Sequence, residues 1–246
     1  MLHRALPSTA DVDPDVDPDS PGSRETLLAW YAVEAQQHLR LNLVTSLDGR
    51  ATGPGETSDT LTTRTDRMLL GVIRQVSDAV LVGAATVRAE SLQRPRRTPL
   101  VVLTGSGDLT GHGFTHSTSA EGASRGRILV VTAPSGAPRV AESLRDTQHE
   151  TIVVHGENER LDLRRVLEAL RERGLHRVVA EGGPELAAQL LDAGLVDELC
   201  LTMVPSIAGT GIPLVDGARS TRVTPTQILV ETDGVLYGRW AITRDR

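Results

Sequence analysis

Short β-branched apolar runs alternate with stretches of helical periodicity along most of the chain, the pattern of a sheet covered by helices. The runs Leu39–Thr45, Ala79–Val82, Leu100–Thr104, Ile128–Thr132, Thr151–His155 and Arg177–Glu181 predict strands. Helical periodicity falls between them, over Arg64–Val76, Ala137–Arg145, Leu161–Arg173 and Pro184–Asp192. The last third changes character. Leu199–Val204 predicts one more strand, and Thr226–Glu231 and Val235–Thr243 flank Asp233-Gly234, a strong hairpin signal. The expectation is an α/β fold with a mostly parallel sheet, ending in an antiparallel hairpin, and no internal repeat at a regular period.

Residues 7–24 depart from this pattern, with five Asp, four Pro and almost nothing to bury. Such a stretch cannot offset the entropy of ordering. Residues 1–24 therefore read as a disordered acidic tail and residues 25–246 as a single domain. A second biased stretch, Thr104–Gly126, is dense in Gly, Ser and Thr and reads as a mobile surface loop rather than a metal site at His112 and His116. Asp11, Asp13 and Asp15 have the spacing of a calcium loop. That loop needs Gly and Glu where this chain has Val16 and Gly22.

Composition narrows the function classes. The chain has 246 residues, and 26 basic against 32 acidic side chains leave a formal charge of -6, which disfavours a nucleic-acid partner. Only five residues are aromatic, too few for stacking platforms on single strands. One cysteine, Cys200, excludes a disulfide framework and a Cys-rich zinc site. No apolar run is long enough to span a bilayer, and the N-terminus lacks a basic-then-apolar signal pattern, so the chain reads as cytosolic.

The sharpest local feature is Val178-Val179-Ala180-Glu181-Gly182-Gly183-Pro184-Glu185-Leu186: a buried-type strand, two glycines, then proline at the first turn of an amphipathic helix. The glycines let backbone N–H groups approach a ligand, and the helix start adds unpaired donors and partial positive charge, a place for a pyrophosphate. Glu181 falls at the carboxyl end of a strand, where open α/β sheets bind ligands. An ordinary tight turn with a solvated Glu181 fits the same residues. Ala79–Val82 runs into a second such junction, Gly83-Ala84-Ala85-Thr86, whose small residues permit close ligand approach but more often serve helix-against-sheet packing. In Leu41–Gly49, alternation places Asn42, Val44 and Ser46 on one face and Leu41, Leu43 and Thr45 on the other, before the turn at Asp48-Gly49. Arg94, Arg96 and Arg97 precede the strand ending in Thr104-Gly105-Ser106, a combination that suits phosphate or a solvated surface.

Three signatures fail. Gly105-x-Gly107 lacks its third glycine and its helix, so the Rossmann fingerprint is not met. His155-Gly156-Glu157 opens like a zinc deaminase motif, yet the two cysteines it needs do not exist. Neither a phosphate-binding P-loop nor G-x-S-x-G is present.

In order, SLDG after the first strand, DAVLVGAATV, EGGPELAAQLL and GLVDELCLTMVPSIAGTGIPL resemble the reductase domain of riboflavin biosynthesis enzymes, the RibD C-terminal type. The resemblance covers residues 38 to 243. It implies a three-layer dihydrofolate reductase-like fold, with helices on both faces of the sheet, and NADPH-dependent reduction of a small heterocycle or its attached ribose. The most direct reading is a 5-amino-6-(5-phosphoribosylamino)uracil reductase. Carried over, the family's cofactor contacts fall on Thr86 and Glu90 and on the helix start from Gly182 and Gly183 through Pro184, Glu185 and Leu186. Val44, Thr45 and Gly83 would flank the cofactor, with its 2′-phosphate near Thr104 and Ser106. Substrate contacts fall on Glu181, Arg74, Ser58 and Arg97, and the catalytic set is Glu181, Asn42 and Asp48. No metal is implied.

Two departures from the family pattern stand out: Glu90 where Asp is common, and Asn42 where several bacterial members carry Lys. Residues 1–37 are too short and lack the His and Cys ligands for the deaminase half, so the expectation is a chain that supplies the reduction step alone. It is similar to an actinobacterial branch of the family, which leaves a dihydrofolate or dihydropterin substrate as the alternative on the same fold. A non-catalytic NADP-binding regulator is the alternative of another class. The resemblance also implies a homodimer through the C-terminal strands, with Leu199–Val204 and the Asp233-Gly234 hairpin at the contact.

Overall fold

A computed structural model describes residues 1–6, 15–53, 57–89, 97–114, 126–156, 160–215 and 217–243. In chain order the elements are β1 (Leu2–Leu6), α1 (Ser23–Tyr31), β2 (His38–Ser46), α2 (Arg64–Gln75), β3 (Ala79–Gly83), α3 (Ala84–Ala89), β4 (Leu100–Thr104) and β5 (Ile128–Thr132). There follow α4 (Ala137–Ser143), β6 (Glu150–Val153), α5 (Leu163–Arg171), β7 (Arg177–Ala180), α6 (Pro184–Asp192), β8 (Glu198–Val204), β9 (Val223–Glu231) and β10 (Leu236–Ile242).

The strands form one sheet in the order β1-β9-β10-β8-β2-β7-β3-β4-β5-β6. From β8 across to β6 every neighbouring pair is parallel, and β10, β9 and β1 complete the sheet antiparallel. Parallel strands buried on both faces read as apolar runs, and β3, β4 and β5 do, up to the buried threonines Thr104 and Thr132 that end β4 and β5. Their alternate residues feed two cores. Val80, Val82 and Val102 pack with α1, α2 and α4 through Leu27, Val72, Ile73 and Val140. Leu81, Val101 and Leu129 pack on the other side with α5 and α6 through Val166, Leu170 and Leu190. The result is the three-layer α/β sandwich implied above, with the β9–β10 hairpin turning at Gly234 (φ +89°).

Helix ends follow their local chemistry. Thr63 caps α2, its Oγ1 accepting from the Asp66 N–H at 3.0 Å, and Asp162 caps α5. Gly194 (φ +63°) closes α6. None of the helices among the described residues is long and apolar enough to cross a membrane.

The tail expected over residues 1–24 is corrected at both ends. Leu2–Leu6 is a strand that covers the outer edge of β9, with Leu2 fully buried, and Leu2 and Val16 exchange backbone hydrogen bonds of 2.8 and 2.9 Å. An open strand edge supplies the order that five residues cannot generate alone. Helix α1 starts at Ser23 and buries Leu27 and Tyr31. The acidic residues 7–14 lie outside the described residues. The loop expected over Thr104–Gly126 is laid down at its start, where His112 Nε2 meets the Ser143 carbonyl oxygen at 3.2 Å. Residues 115–125, with His116, lie outside the described residues.

Beneath α1, a buried polar cluster ties the antiparallel third to the parallel sheet. Glu198 of β8 accepts from Arg40 of β2 and, at 2.7 Å, from Arg239 Nε of β10, with His38 Nε2 at 3.4 Å. Burial pushes the Glu198 carboxyl up, but the hydrogen bond with His38 and the two guanidinium charges outweigh it and hold the group at about 2. The Cys200 thiol beside it is pushed up to about 12 by burial.

Candidate active site

A cavity of about 280 Å³ opens above the carboxyl ends of β2, β3 and β7. Parallel strands with helices on both faces leave a crevice at that end, where each strand turns into its helix and backbone donors are free. The two junctions singled out from the sequence meet there. Thr86, on α3 just past β3, stands beside the turn between β7 and α6: a Cβ on Gly183 would lie 3.1 Å from Thr86 Oγ1, and one on Gly182 3.3 Å from Thr86 Cγ2. Gly183 itself has φ +60° and ψ 134°, a conformation essentially reserved for glycine. No side chain caps α6, and Pro184 begins it, so its first N–H groups are left for a ligand.

Next to this turn, Arg74 from the last turn of α2 clasps Glu181, the residue just past β7 that leads into Gly182. Nε meets Oε1 at 2.7 Å and Nη2 meets Oε2 at 2.5 Å. The Glu181 side chain is 6% exposed and that of Arg74 24%, so the pair is largely desolvated. Burial would lower the Arg74 pKa, but the hydrogen bonds and charge of Glu181 raise it above the ordinary arginine value. The sequence treats the two as separate substrate contacts; the structure makes them one unit, a fork-to-fork ion pair.

Asn42, Val44 and Ser58 also line the cavity. Arg97 does not. It lines a neighbouring cleft with Arg24 and Thr98, and Arg74 borders both spaces. Thr45 is buried and outside the cavity lining, its Oγ1 bonded to the Ser46 carbonyl. Gly83 ends β3 with open space beside it. Thr104 and Ser106 lie further along, at the end of β4, where they receive the N–H groups of Gly107 and Asp108. In the first turn of α6, Glu185 is exposed, and the Leu186 side chain is core, leaving only its backbone for a ligand. Glu90 lies outside the described residues.

Asp48 needs correction as a catalytic group. Its carboxylate accepts from Ser46 Oγ at 2.6 Å and from the N–H groups of Ala208 and Gly209 at 2.9 and 2.8 Å, and it does not line the cavity. Those hydrogen bonds hold it well below the ordinary range, at about 2. Asp48 clamps the 206–214 segment to the end of β2, helped by the Ala51 N–H to Ile212 carbonyl bond at 2.8 Å, and this segment carries Ile212 and Leu214 to the cavity.

Sequence reasoning missed Asp66. It lies on α2, 8% exposed, lines the cavity, and accepts from Thr202 Oγ1 at 2.6 Å. The signal was available: Asp66 occupies the buried stripe Thr65, Asp66, Leu69, Val72, Ile73, where an apolar side chain belongs. Among the described residues no group of three His, Cys, Asp or Glu side chains gathers that could hold a metal ion.

Comparison with known proteins joins this geometry to a family. The model of the RibD C-terminal domain matches residues 37–237. A 2,5-diamino-6-ribosylamino-4(3H)-pyrimidinone 5′-phosphate reductase from Methanothermobacter thermautotrophicus is 34% identical over 190 residues, covering 72% of this chain and 82% of that one. The riboflavin biosynthesis protein RibD of Mycobacterium tuberculosis is 27% identical over 192 residues, 76% of this chain and 48% of that one. This chain thus matches about half the length of that RibD protein. In fold, a pyrimidine reductase-like protein from Corynebacterium diphtheriae superposes with TM-score 0.66 over 94% of this chain and 98% of that one, at 24% identity.

Proposed function

The chain belongs to the RibD C-terminal domain family, and on that premise we propose that it is the NADPH-dependent reductase of a ribosylamino-pyrimidine phosphate, 5-amino-6-(5-phosphoribosylamino)uracil. The observation that carries this reading is one cavity lined by two unlike features: an uncapped glycine-proline helix start and, beside it, the desolvated Arg74–Glu181 pair. The first suits a pyrophosphate and the second a polar heterocycle.

The residues fit a dinucleotide. Thr86 and the backbone of Gly182–Leu186 would hold the pyrophosphate, Val44 and Gly83 would flank the nicotinamide end, and Thr104 and Ser106 would meet the 2′-phosphate end. When bound, the cofactor supplies the hydride. Positioning is the chain's contribution. Glu181, fixed in plane by Arg74, keeps outward lone pairs for the amino groups of the pyrimidine. Asn42 and Ser58 line the same cavity. Arg74 Nη1 has no hydrogen-bond partner among the described residues, and with Arg97 it would hold the ribose phosphate.

The half-exposed side chains Leu199, Leu201, Met203, Leu236 and Trp240 share one face of the paired strands β8 and β10. That face supports a homodimer formed through it, since β1 occupies the outer edge of β9. The cytoplasm is the proposed compartment, in keeping with a phosphorylated, membrane-impermeant substrate.

The test is NADPH oxidation by the purified protein with the ribosylamino-uracil phosphate, the 2,5-diamino-pyrimidinone analogue and dihydrofolate side by side. Turnover of a ribosylamino substrate, with NADH much poorer, is the expected result. Turnover of dihydrofolate alone contradicts it, and tight NADPH binding without any turnover would make the chain a cofactor-binding regulator.

A further inference from the structure

Asp66 is a carboxyl group that the packing of α2 does not explain. Its Oδ1 accepts from Thr202 Oγ1, whereas Oδ2 has no hydrogen-bond partner among the described residues, and the side chain lines the cavity. A carboxylate buried without a cation is costly, and among the described residues no salt bridge reaches it. The charged groups around it do not resolve that cost. Arg67, next along α2, is exposed; Glu181 past β7 is negative and engages Arg74; Glu231 of β9 and Tyr237 of β10 bond to each other behind Thr63. Burial raises the Asp66 pKa, the Thr202 hydrogen bond and Arg67 oppose, Glu181 adds to the rise, and the group ends above the ordinary aspartate value.

We propose that Asp66 is the proton donor of this site, opening the ribose ring of the bound substrate by protonating its ring oxygen. The inference rests on the function proposed above. In the closed ribosylamine, C1′ is saturated and cannot accept hydride. The proton leaves Asp66 Oδ2 for O4′, and the C1′–O4′ pair goes to O4′, which becomes the 4′-hydroxyl. The lone pair of the exocyclic nitrogen then forms a C1′=N iminium. Asp66 is left as a carboxylate beside that cation and regains its proton from water. C1′ then takes one hydride from a reduced nicotinamide, so each turnover consumes one hydride and one proton and yields the ribitylamine.

Asp66→Asn keeps an oxygen acceptor for Thr202 but carries no acidic proton. It is expected to lower kcat by about 10²-fold or more while substrate and NADPH dissociation constants change only a few-fold. Wild-type kcat should fall as pH rises through the Asp66 pKa, a limb that Asp66→Glu retains and the residual activity of Asp66→Asn lacks. Thr202→Val, which removes a bond favouring the charged carboxylate, should move that limb upward. A readout without cofactor completes the set: the wild type should speed interconversion of the C1′ anomers of a ¹³C-labelled substrate, and Asp66→Asn should not. Wild-type kcat and pH profile in Asp66→Asn, or equal anomer exchange in both, would overturn the assignment. A wild type that binds the substrate but leaves NADPH unoxidised would overturn the functional reading itself. A ¹³C-labelled Asp66 carboxyl titrating at the ordinary aspartate value would overturn the assignment whatever the substrate.

Discussion

Arg74 and Glu181 come from elements 107 positions apart in sequence and close on each other in two parallel hydrogen bonds, 2.7 and 2.5 Å, at the wall of the cavity. The pair fixes the plane of the carboxylate before any ligand arrives. Glu181→Gln removes the charge that holds Arg74 in place, and Arg74→Lys removes the fork. Each substitution should lower kcat/KM by about 1–3 kcal/mol equivalent, ~5- to 150-fold, and the double variant by less than the sum. Steady-state kinetics on the three variants check this; strictly additive effects would separate the two residues functionally.

The Gly183 turn admits no side chain at low cost. Gly183→Ala combines a glycine-only backbone conformation with a Cβ 3.1 Å from Thr86 Oγ1. It should destabilise the fold by about 1–3 kcal/mol and weaken NADPH binding more than substrate binding. Adding Thr86→Ala should relieve the contact while leaving the backbone strain. Calorimetric titration with each ligand measures the split, and equal losses for both would place Gly183 outside the cofactor subsite.

Glu198 makes the stability of the sheet acid-sensitive. Its folded pKa, about 2, lies below the ordinary 4.5, so its contribution is full above pH 4.5 and is lost as pH falls toward 2. Urea midpoints measured through that window should decline less in Glu198→Gln than in the wild type. At neutral pH the same variant should cost about 3–5 kcal/mol, because it leaves Arg40 buried without its partner. Parallel pH dependences in the two proteins would contradict the assignment.

Asp48→Ala should act on binding rather than chemistry. It frees the 206–214 segment that carries Ile212 and Leu214 to the cavity. KM for the substrate should rise by about 10-fold, the scale of one or two lost charge-assisted hydrogen bonds, with kcat little changed. A collapse of kcat at unchanged KM would return Asp48 to the catalytic set.

Most of the fold was legible because strands such as Leu100–Thr104 and Ile128–Thr132 are apolar runs with clear flanks, and their ends agree with the sequence reading. Leu2–Leu6 was not, since its order comes from the β9 edge rather than from its own residues. Helix α3 was too short to leave a period. In the site, the glycine-proline helix start announces itself, and the cavity forms beside it. Asp48 misled because an Asp-Gly turn near a strand end has the same sequence whether its carboxylate serves chemistry or pins a distant loop. Asp66 was hidden by the helix pattern around it, although an acid on a buried stripe was the clue. That Arg74 and Glu181 form one pair depends on a tertiary contact which no local pattern encodes.

The atom that receives the hydride separates a ribosylamine reductase from a reductase of the ring. With NADPH deuterated at the reactive C4 position, the product from the ribosylamino-uracil phosphate should carry a single deuterium at C1′ of a ribityl chain, read by NMR and mass spectrometry. Deuterium on the pyrimidine ring, or no incorporation while dihydrofolate is reduced instead, would contradict it.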